Sequence, residues 1–404
     1  DMLLKRGLMP TDVERIGIQG RVALTNFTFR GESVSAVQSA LQYTNRFLQI
    51  ISPRLQRGTQ QLAADSLGVD FLAQKIYVTN GYSTVEPMVV ARAIGPHIVR
   101  AIEAYQFRQP PVAYVHGTIP LHGEEDADLH FDLAGGPFDW WRFHVPKIQG
   151  HVHWLGQQLT LTNVLVGFYG GQAAGAAHFD FHPRDRTDYR FAVTATDVLL
   201  CPLVADLFLW TNRLEGKLSA MLLITNANTA DLQSWNGFGT LSLRDGLIWE
   251  LPIFGILSDA LNGVAPGLGS SRASAGTCTF GITNGLIRSD DVDIRSTGMR
   301  LQYRGTLDFQ GQVNARVEAG LLRDMWLVGP VVSTVLWPVT KVFEYKVTGS
   351  LGDPKAEPVN LVPKVMFLPF QFPFHPIRTL KGLLPEDLGS SRTNAPALSS
   401  PKQN

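Results

Sequence analysis

The alternation of apolar and polar residues constrains the fold of this chain more than any other feature. Residues 299–309 carry one apolar set at alternating positions: Met299, Leu301, Tyr303, Leu307 and Phe309. Residues 313–319 repeat the pattern with valine and alanine. Successive side chains of a β-strand point to opposite faces, so both segments are predicted to be strands with one apolar and one wet face.

Charge balance and turn-forming residues narrow the class of protein. Lys plus Arg equals Asp plus Glu at 35 each, so the chain lacks the positive field with which nucleic-acid binders neutralise phosphates. Its 38 glycines and 24 prolines separate many short alternating segments, as hairpins require. We therefore predict a mostly β protein with a few helices (α+β), in which a long, curved antiparallel sheet forms an open apolar groove. We expect no nucleic-acid partner.

The pattern changes along the chain and predicts four modules. They are an α/β opening module at 1–110, an antiparallel β-rich groove segment at 111–235, a β module with amphipathic helices at 236–360, and a proline-rich, largely disordered tail at 361–404. Helical spacing of apolar residues and the placement of proline predict helical segments near 33–58, 96–106, 199–210, 252–262 and 321–343.

A short motif recurs five times at irregular spacing. An aliphatic residue is followed by Thr and Asn at 24–26, 78–80, 161–163, 224–226 and 282–284. Asparagine tolerates positive φ, so each copy predicts a strand that runs into a turn or a bulge. The irregular spacing favours hairpins of different lengths over a strict structural repeat.

No catalytic constellation accompanies these strands. The glycine-rich segment 267–272 matches neither a nucleophile elbow nor a phosphate-binding loop. Histidines do gather, together with Asp180, at His144, His151, His153, His178 and His182. If the strands carrying His153 and His178 paired, a surface metal site would be geometrically available, but the spacings match no closed site. We predict no catalytic residue, no metal and no cofactor, and interpret the histidines as half-wet residues of a polar sheet face.

Residues 325–340 contain no charged side chain and carry Trp326 and Trp337 near their ends. Tryptophan at both ends suits a membrane interface. Pro330 and Pro338 interrupt the segment, which is also shorter than the roughly 20 residues that a membrane span needs. A lid over the sheet, an interfacial helix and a span are the three interpretations. Trp326 and Trp337 are the predicted membrane-interface residues.

The predicted helices are too few to cover all the apolar strand faces, so a second sheet or a ligand must do so. An acyl chain of about sixteen methylenes contributes on the order of 12 kcal/mol when buried, at about 0.8 kcal/mol per methylene. The alternation selects these groove-lining positions: Val152, Trp154, Leu241, Leu243, Trp249, Phe280, Ile282, Leu301, Tyr303, Leu307 and Phe309.

Five segments between residues 238 and 354 together resemble a known family. They are FGTLSLRDGLIW at 238–249, the helix PIFGIL at 252–257, FGITNG at 280–285, the strand at 301–309, and VTGSLGDP at 347–354. Their order is similar to the C-terminal region of AsmA-like proteins, the bacterial envelope family that includes TamB-type members.

The resemblance implies a non-enzymatic protein on the periplasmic side of the cell envelope, tethered to the inner membrane by a helix that this chain lacks. Its β groove would help phospholipid move from the inner to the outer membrane. Phospholipid acyl chains, the membrane surface and outer-membrane assembly proteins are the expected partners. Two other functions stay open. One is a structural or assembly module that contacts outer-membrane biogenesis machinery through sheet edges, and the other is a hydrolase that uses the histidine-rich face.

Overall fold

The computed structural model describes residues 17–360, apart from 30, 95–102, 104, 123–126, 141, 183–185, 210, 259–260, 263–266, 297 and 322–342. Within this part of the chain, twenty strands form one antiparallel sheet and three short strands form a second, smaller sheet. The prediction of a mostly β protein with few helices is confirmed.

Six strands open the large sheet: β1 (Ile18–Phe29), β2 (Glu32–Thr44), β3 (Phe47–Arg57), β4 (Gln60–Ala63), β5 (Ser66–Asp70) and β6 (Lys75–Ser83). β1 pairs with β2, and β2 pairs with β3. β4 and β5 lie end to end, and each pairs with both β3 and β6. Together they act as one interrupted strand of the sheet.

The predicted helix at 33–58 is wrong, because these residues form the β2–β3 hairpin. Asn45 and Arg46 have φ angles of 48° and 60° and make a two-residue turn between Thr44 and Phe47. Positive φ at both central residues is the signature of a hairpin turn whose twist matches its strands. The apolar residues fit a helical spacing only if this turn is overlooked. The described part of the 1–110 module is therefore mainly β rather than α/β.

The middle of the chain adds eleven strands: β7 (Tyr105–Phe107), β8 (Val112–Pro120), β9 (Asp128–Gly135), β10 (Phe138–Trp140), β11 (Phe143–Val145), β12 (Lys147–Leu155), β13 (Gln158–Phe168), β14 (Gly171–Asp180), β15 (Asp188–Leu199), β16 (Glu215–Asn228) and β17 (Asn236–Leu247). β10 lies between β7 and β11 in the smaller sheet. The others continue the large sheet in the order β6, β8, β9, β12 to β17.

Six strands complete the sheet: β18 (Ala273–Thr283), β19 (Leu286–Ser296), β20 (Met299–Asp308), β21 (Gln312–Leu321), β22 (Phe343–Ser350) and β23 (Asp353–Asn360). Each pairs with its predecessor, beginning with β17 and β18. The strands predicted at 299–309 and 313–319 are β20 and β21. The sheet runs without a break across positions 110 and 235, where module boundaries were predicted.

Three α-helices have both ends in the described residues: α1 (Pro87–Ile94), α2 (Leu200–Phe208) and α3 (Pro252–Gly255). α2 confirms the helix predicted at 199–210. α3 begins at the predicted Pro252, and Ser258, Leu261 and Asn262 are helical as well after a turn at 256–257, so most of the described part of the helix predicted at 252–262 is confirmed. Short 3₁₀ turns occur at Leu232–Ser234 and Leu268–Ser270. None of these helices has both the length and the hydropathy needed to cross a bilayer.

Three other predictions fall wholly or partly outside the described residues. Most of the predicted helix at 96–106 does so, and its last two residues belong to strand β7 instead. The predicted helix at 321–343, with Trp326 and Trp337, also lies outside, except for its end residues, which belong to β21 and β22. The tail at 361–404 is outside as well.

The recurring aliphatic-Thr-Asn motif marks bends and turns, as predicted. Asn26, Asn80, Asn163 and Asn284 adopt positive φ angles between 48° and 53°. The strand register shifts between Val78 and Gly81, between Leu161 and Val164, and between Ile224 and Asn226, at three copies of the motif. Such β-bulges bend a strand and increase its twist.

Candidate functional site

One face of the large sheet is apolar from β6 to β23, and we call it the inner face. Residues directly opposite in antiparallel strands share a face. Such partners connect one residue of each strand into a continuous row: Gly81, Val115, Phe131, Val152, Leu161, Ala177, Phe191, Ile224, Gly237, Ile282, Ile287, Leu307, Val313, Gly349 and Pro354. Every member of this row is an apolar residue or glycine.

The opposite, outer face carries polar side chains in the neighbouring row. From β8 to β15 these residues are His116, His130, His153, Thr160, His178 and Arg190. Adjacent positions along the same strands therefore divide into an apolar row on one face and a polar row on the other. This two-faced character was the central prediction from the sequence.

Alanines in β14 show that the two faces differ in how far they are shielded. Ala173 and Ala177 on the inner face are partly buried, whereas Ala174 and Ala176 on the outer face are exposed. The side chain and the strand are the same in this comparison, so the difference reflects the surroundings of each face. Larger neighbours contribute to this shielding, since Ala177 lies between Leu161 of β13 and Phe191 of β15.

Nine of the eleven predicted groove positions lie on the inner face: Val152 and Trp154 in β12, Leu241 and Leu243 in β17, Phe280 and Ile282 in β18, and Leu301, Tyr303 and Leu307 in β20. The other two lie in turns. Trp249 follows β17, and its indole N–H donates to the carbonyl of Ser271 at 2.8 Å. Phe309 follows β20 and meets Trp235 edge to face, with ring centroids 5.8 Å apart.

The inner face of the last strands is sealed by the chain itself. Leu301 is 0% exposed and Tyr303 is 4% exposed, inside a core to which α2, α3 and their flanking residues contribute. Phe254 of α3 packs against the Tyr303 ring at 5.3 Å, and the Tyr303 hydroxyl donates to the carbonyl of Ile253 at 3.1 Å. Burial raises the pKa of this hydroxyl. Leu301 and Tyr303 therefore line packed protein and not an open channel.

A second cluster covers one margin of the inner face farther along the sheet. Trp235 contacts Tyr189 and Phe191 with centroids 6.2 and 5.8 Å apart, and it also meets Phe309. Ile282, which is 4% exposed, belongs to the same cluster. The 3₁₀ turn just before β17 places the indole over strands that are distant in sequence.

Between β8 and β17 most apolar side chains of the inner face are only partly buried, although Ile224 of β16 is 0% exposed in the Trp235 cluster. We call this region the open groove. Val152 and Trp154 are partly buried, and Leu241 is 37% exposed. The region comprises the eight strands β8, β9 and β12 to β17, which at about 4.8 Å per strand span about 34 Å. Of the eleven predicted groove residues, four lie in this region: Val152, Trp154, Leu241 and Leu243.

The outer face has a feature of its own, a cluster of histidines and carboxylates on β9 and β12. Asp128 and His130 of β9 and His153 of β12 offer ligand atoms that all lie within 4.8 Å of one another. The Asp128 Oδ1 atom is 2.8 Å from His153 Nε2 and 3.4 Å from His130 Nε2. The His130 and His153 rings stack with centroids 4.1 Å apart.

His130 is also held from its other ring nitrogen. Its Nδ1 atom is 3.2 Å from His151 Nε2, and His151 Nδ1 is 2.9 Å from the Asp132 Oδ1 atom. His116 stacks on the His130 ring with centroids 5.0 Å apart. Burial and the neighbouring His153 lower the pKa of His130, which favours the neutral imidazole.

The histidines singled out in the sequence are distributed differently from the expectation. β13 lies between the strands of His153 and His178, so these two residues do not meet, and His178 instead contacts Thr160 at 3.0 Å. His182 pairs with Asp180, and His144 pairs with Asp139 in the smaller sheet. The sequence reasoning missed His130, because only the pairing of β9 with β12 brings it opposite His153.

Comparisons of the chain with protein-family models, with curated proteins and with solved structures found no match. The resemblance to AsmA-like proteins therefore stays a prediction, and the proposals below rest on the geometry of the two sheet faces.

Proposed function

We propose that this protein binds the acyl chains of phospholipids in the open groove and assists their movement between the membranes of the bacterial envelope. The observation that supports the proposal most is the apolar inner row, which continues across strands whose inner side chains are only partly covered by the described chain. An apolar surface of this extent in water favours a hydrocarbon ligand.

The energetics suit a lipid tail. Sixteen buried methylenes contribute about 12 kcal/mol before ordering costs, at about 0.8 kcal/mol each. The groove would hold the tail while the charged head group stays in water at the margin, because burying an unpaired charge costs far more than a tail contributes. In this proposal no residue acts as a nucleophile or a general base, so the protein is a carrier and not an enzyme.

Small residues on the inner face leave room for such a tail. Ala173, Gly175 and Ala177 of β14 alternate along the floor of the groove, between the larger side chains of β13 and β15. Ala177 lies directly between its partners Leu161 and Phe191. A tail lying over this strand would contact valine, leucine and phenylalanine side chains on both sides.

The experiment exploits the two faces of β14. Ala177→Trp fills the floor of the groove, whereas Ala176→Trp places the same indole on the outer face one residue away. Lipids that remain bound through gentle purification are identified by mass spectrometry, and the affinity for a fluorescent phospholipid is measured by titration. We expect the wild-type protein and Ala176→Trp to carry phospholipid, and Ala177→Trp to bind it at least about tenfold more weakly, a loss of about 1.4 kcal/mol.

Circular dichroism and the urea midpoint confirm that both variants fold. Wild-type protein that carries no lipid and does not bind the fluorescent phospholipid would refute the proposal. Equal affinity of the two folded tryptophan variants would place the ligand elsewhere.

A specific observation also favours the second candidate, an assembly module that recruits a partner strand. Within the described residues β1 pairs only with β2, and its side chains are mostly exposed, including Leu24 at 50%. A long exposed edge strand offers unpaired backbone groups to an added strand. Leu24→Lys should abolish capture of an outer-membrane assembly protein from envelope extract, with Leu72→Lys in the β5–β6 turn as the control. Capture unchanged by Leu24→Lys would rule out this edge.

A further inference from the structure

We infer that Asp128, His130 and His153 form a binding site for a divalent transition-metal ion, of which Zn²⁺ is the expected example, on the outer face of the sheet. The site is separate from the open groove, and the inference does not depend on lipid binding. It starts from the three ligand atoms, which already converge within 4.8 Å.

The spacing of these atoms suits a tetrahedral ion. Ligand atoms bound at about 2.1 Å around a tetrahedral centre are about 3.4 Å apart. His130 Nε2 is 3.4 Å from Asp128 Oδ1. His153 Nε2, at 2.8 Å from the same oxygen, needs to move away by only about 0.6 Å. The His130 and His153 rings stack nearly parallel, so one of them must also rotate before both ring nitrogens point at the same ion. Rotation of these side chains is possible because all three ligands are partly exposed, Asp128 by 50%.

The backbone supports this arrangement. His130 and His153 are direct cross-strand partners in β9 and β12, so the antiparallel ladder fixes their spacing. Asp128 lies two residues before His130 on the same strand and hence on the same face. Three ligands held by two paired strands, with the remaining coordination position open to water, match the usual composition of an accessible zinc site.

The contacts around His130 supply what surrounds a ligating histidine in metal proteins. If the Asp132 carboxylate accepts the His151 Nδ1 proton, His151 Nε2 is left to accept the His130 Nδ1 proton. His130 Nε2 then presents a lone pair toward the Asp128 oxygen. In this tautomer a metal ion can accept both lone pairs, whereas without metal a proton on His130 Nε2 would have to serve. A carboxylate or imidazole on the far nitrogen also orients the ring and raises its basicity as a ligand.

The ligand types indicate which ions fit. Two imidazoles and one carboxylate suit Zn²⁺, Co²⁺, Ni²⁺ and Cu²⁺, whereas Mg²⁺ and Ca²⁺ prefer oxygen ligands throughout. A bound ion would cross-link β9 to β12 beneath the open groove and stiffen the sheet at that point.

The test uses the untagged full chain, stripped with a chelator and titrated with Zn²⁺ by calorimetry. Visible absorption of the Co²⁺ form reports the coordination geometry. We expect one ion per chain with the intense absorption of four-coordinate Co²⁺. His130→Ala and His153→Ala should each weaken binding by about 100-fold or more, and His151→Ala by about 10- to 100-fold.

Asp128→Asn keeps the shape of the side chain and removes the anionic ligand, so it should weaken binding without disturbing the fold. His178→Ala is the matched control, since it removes an outer-face histidine two strands from β12. Binding that falls equally in His178→Ala, or that persists unchanged in folded His130→Ala and His153→Ala, would overturn the inference. So would the lack of a one-to-one complex in the wild-type protein.

Discussion

Replacing one leucine in the sealed part of the inner face and one in the open groove tests the division between them. Leu301 is 0% exposed in the core beneath α3, whereas Leu241 on the same face of the sheet is 37% exposed. Leu301→Ala removes buried methyl groups and leaves a cavity, so we expect it to lower the free energy of unfolding by about 3 kcal/mol. Leu241→Ala loses only part of its transfer free energy and leaves no closed cavity, which gives about 1 kcal/mol.

Urea denaturation followed by circular dichroism measures both values, with the m-value checked for constancy. The same denaturation experiment in the presence of lipid gives a second measurement. At one hundred times its Kd a ligand stabilises the wild-type protein by about 2.7 kcal/mol, and this gain should shrink in Leu241→Ala and stay intact in Leu301→Ala. Equal destabilisation by the two variants in the absence of lipid would refute the reasoning that the inner face is sealed at one end and open along the rest.

Three further predictions concern the elements that hold the groove in shape. Tyr303→Phe removes the hydrogen bond to the Ile253 carbonyl and should lower the free energy of unfolding by about 1 to 2 kcal/mol in urea titrations, while Tyr77→Phe at an exposed site should have no measurable effect. Asn163 has a φ of 52°, which asparagine and glycine tolerate better than alanine does. In the same assay Asn163→Ala should therefore lower the free energy of unfolding by about 1 kcal/mol, whereas Asn163→Gly should leave it unchanged. Burial alone would raise the pKa of Asp293, but hydrogen bonds from Arg300 and Arg295 outweigh burial and hold that pKa below its ordinary value. Because the folded-state pKa is the lower one, this carboxylate stabilises the fold above the unfolded pKa of about 3.9, and the contribution disappears as pH falls through the folded pKa. Urea midpoints measured from pH 6 to pH 2.5, a range chosen around that value of about 3.9, should therefore drop less steeply for Asp293→Asn than for the wild-type protein.

Local patterns predicted those elements whose structure is decided by neighbours in sequence. The strands around Leu301 and Val317 follow from strict alternation, and the bends at Asn80 and Asn163 follow from the tolerance of asparagine for positive φ. The hairpin at Asn45 was missed because its apolar residues fit a helical period as well as a strand period. The turn residues decide between a hairpin and a helix here. When both central residues of a turn adopt positive φ, the chain forms a hairpin even if its apolar residues also fit a helical spacing.

The candidate sites depended on information that no local pattern contains. Nothing near His130 in sequence indicates that it will lie opposite His153. The two residues become partners because β9 pairs with β12, while the intervening strands β10 and β11 belong to the smaller sheet. The sealing of Tyr303 by Phe254 likewise joins residues far apart in the chain. Alternation identified which face is apolar, but tertiary packing decided where that face stays open.

The consecutive pairing of the strands has a consequence for how such a protein can change its length. Most strands of the large sheet pair only with the strands just before and just after them in the chain, so an added or deleted hairpin changes two strand–strand interfaces and leaves the others intact. The free energy of unfolding is then approximately a sum of contributions from neighbouring strand pairs, much as it is in repeat proteins. Gene duplication could therefore lengthen or shorten the sheet by whole hairpins without redesigning its interior.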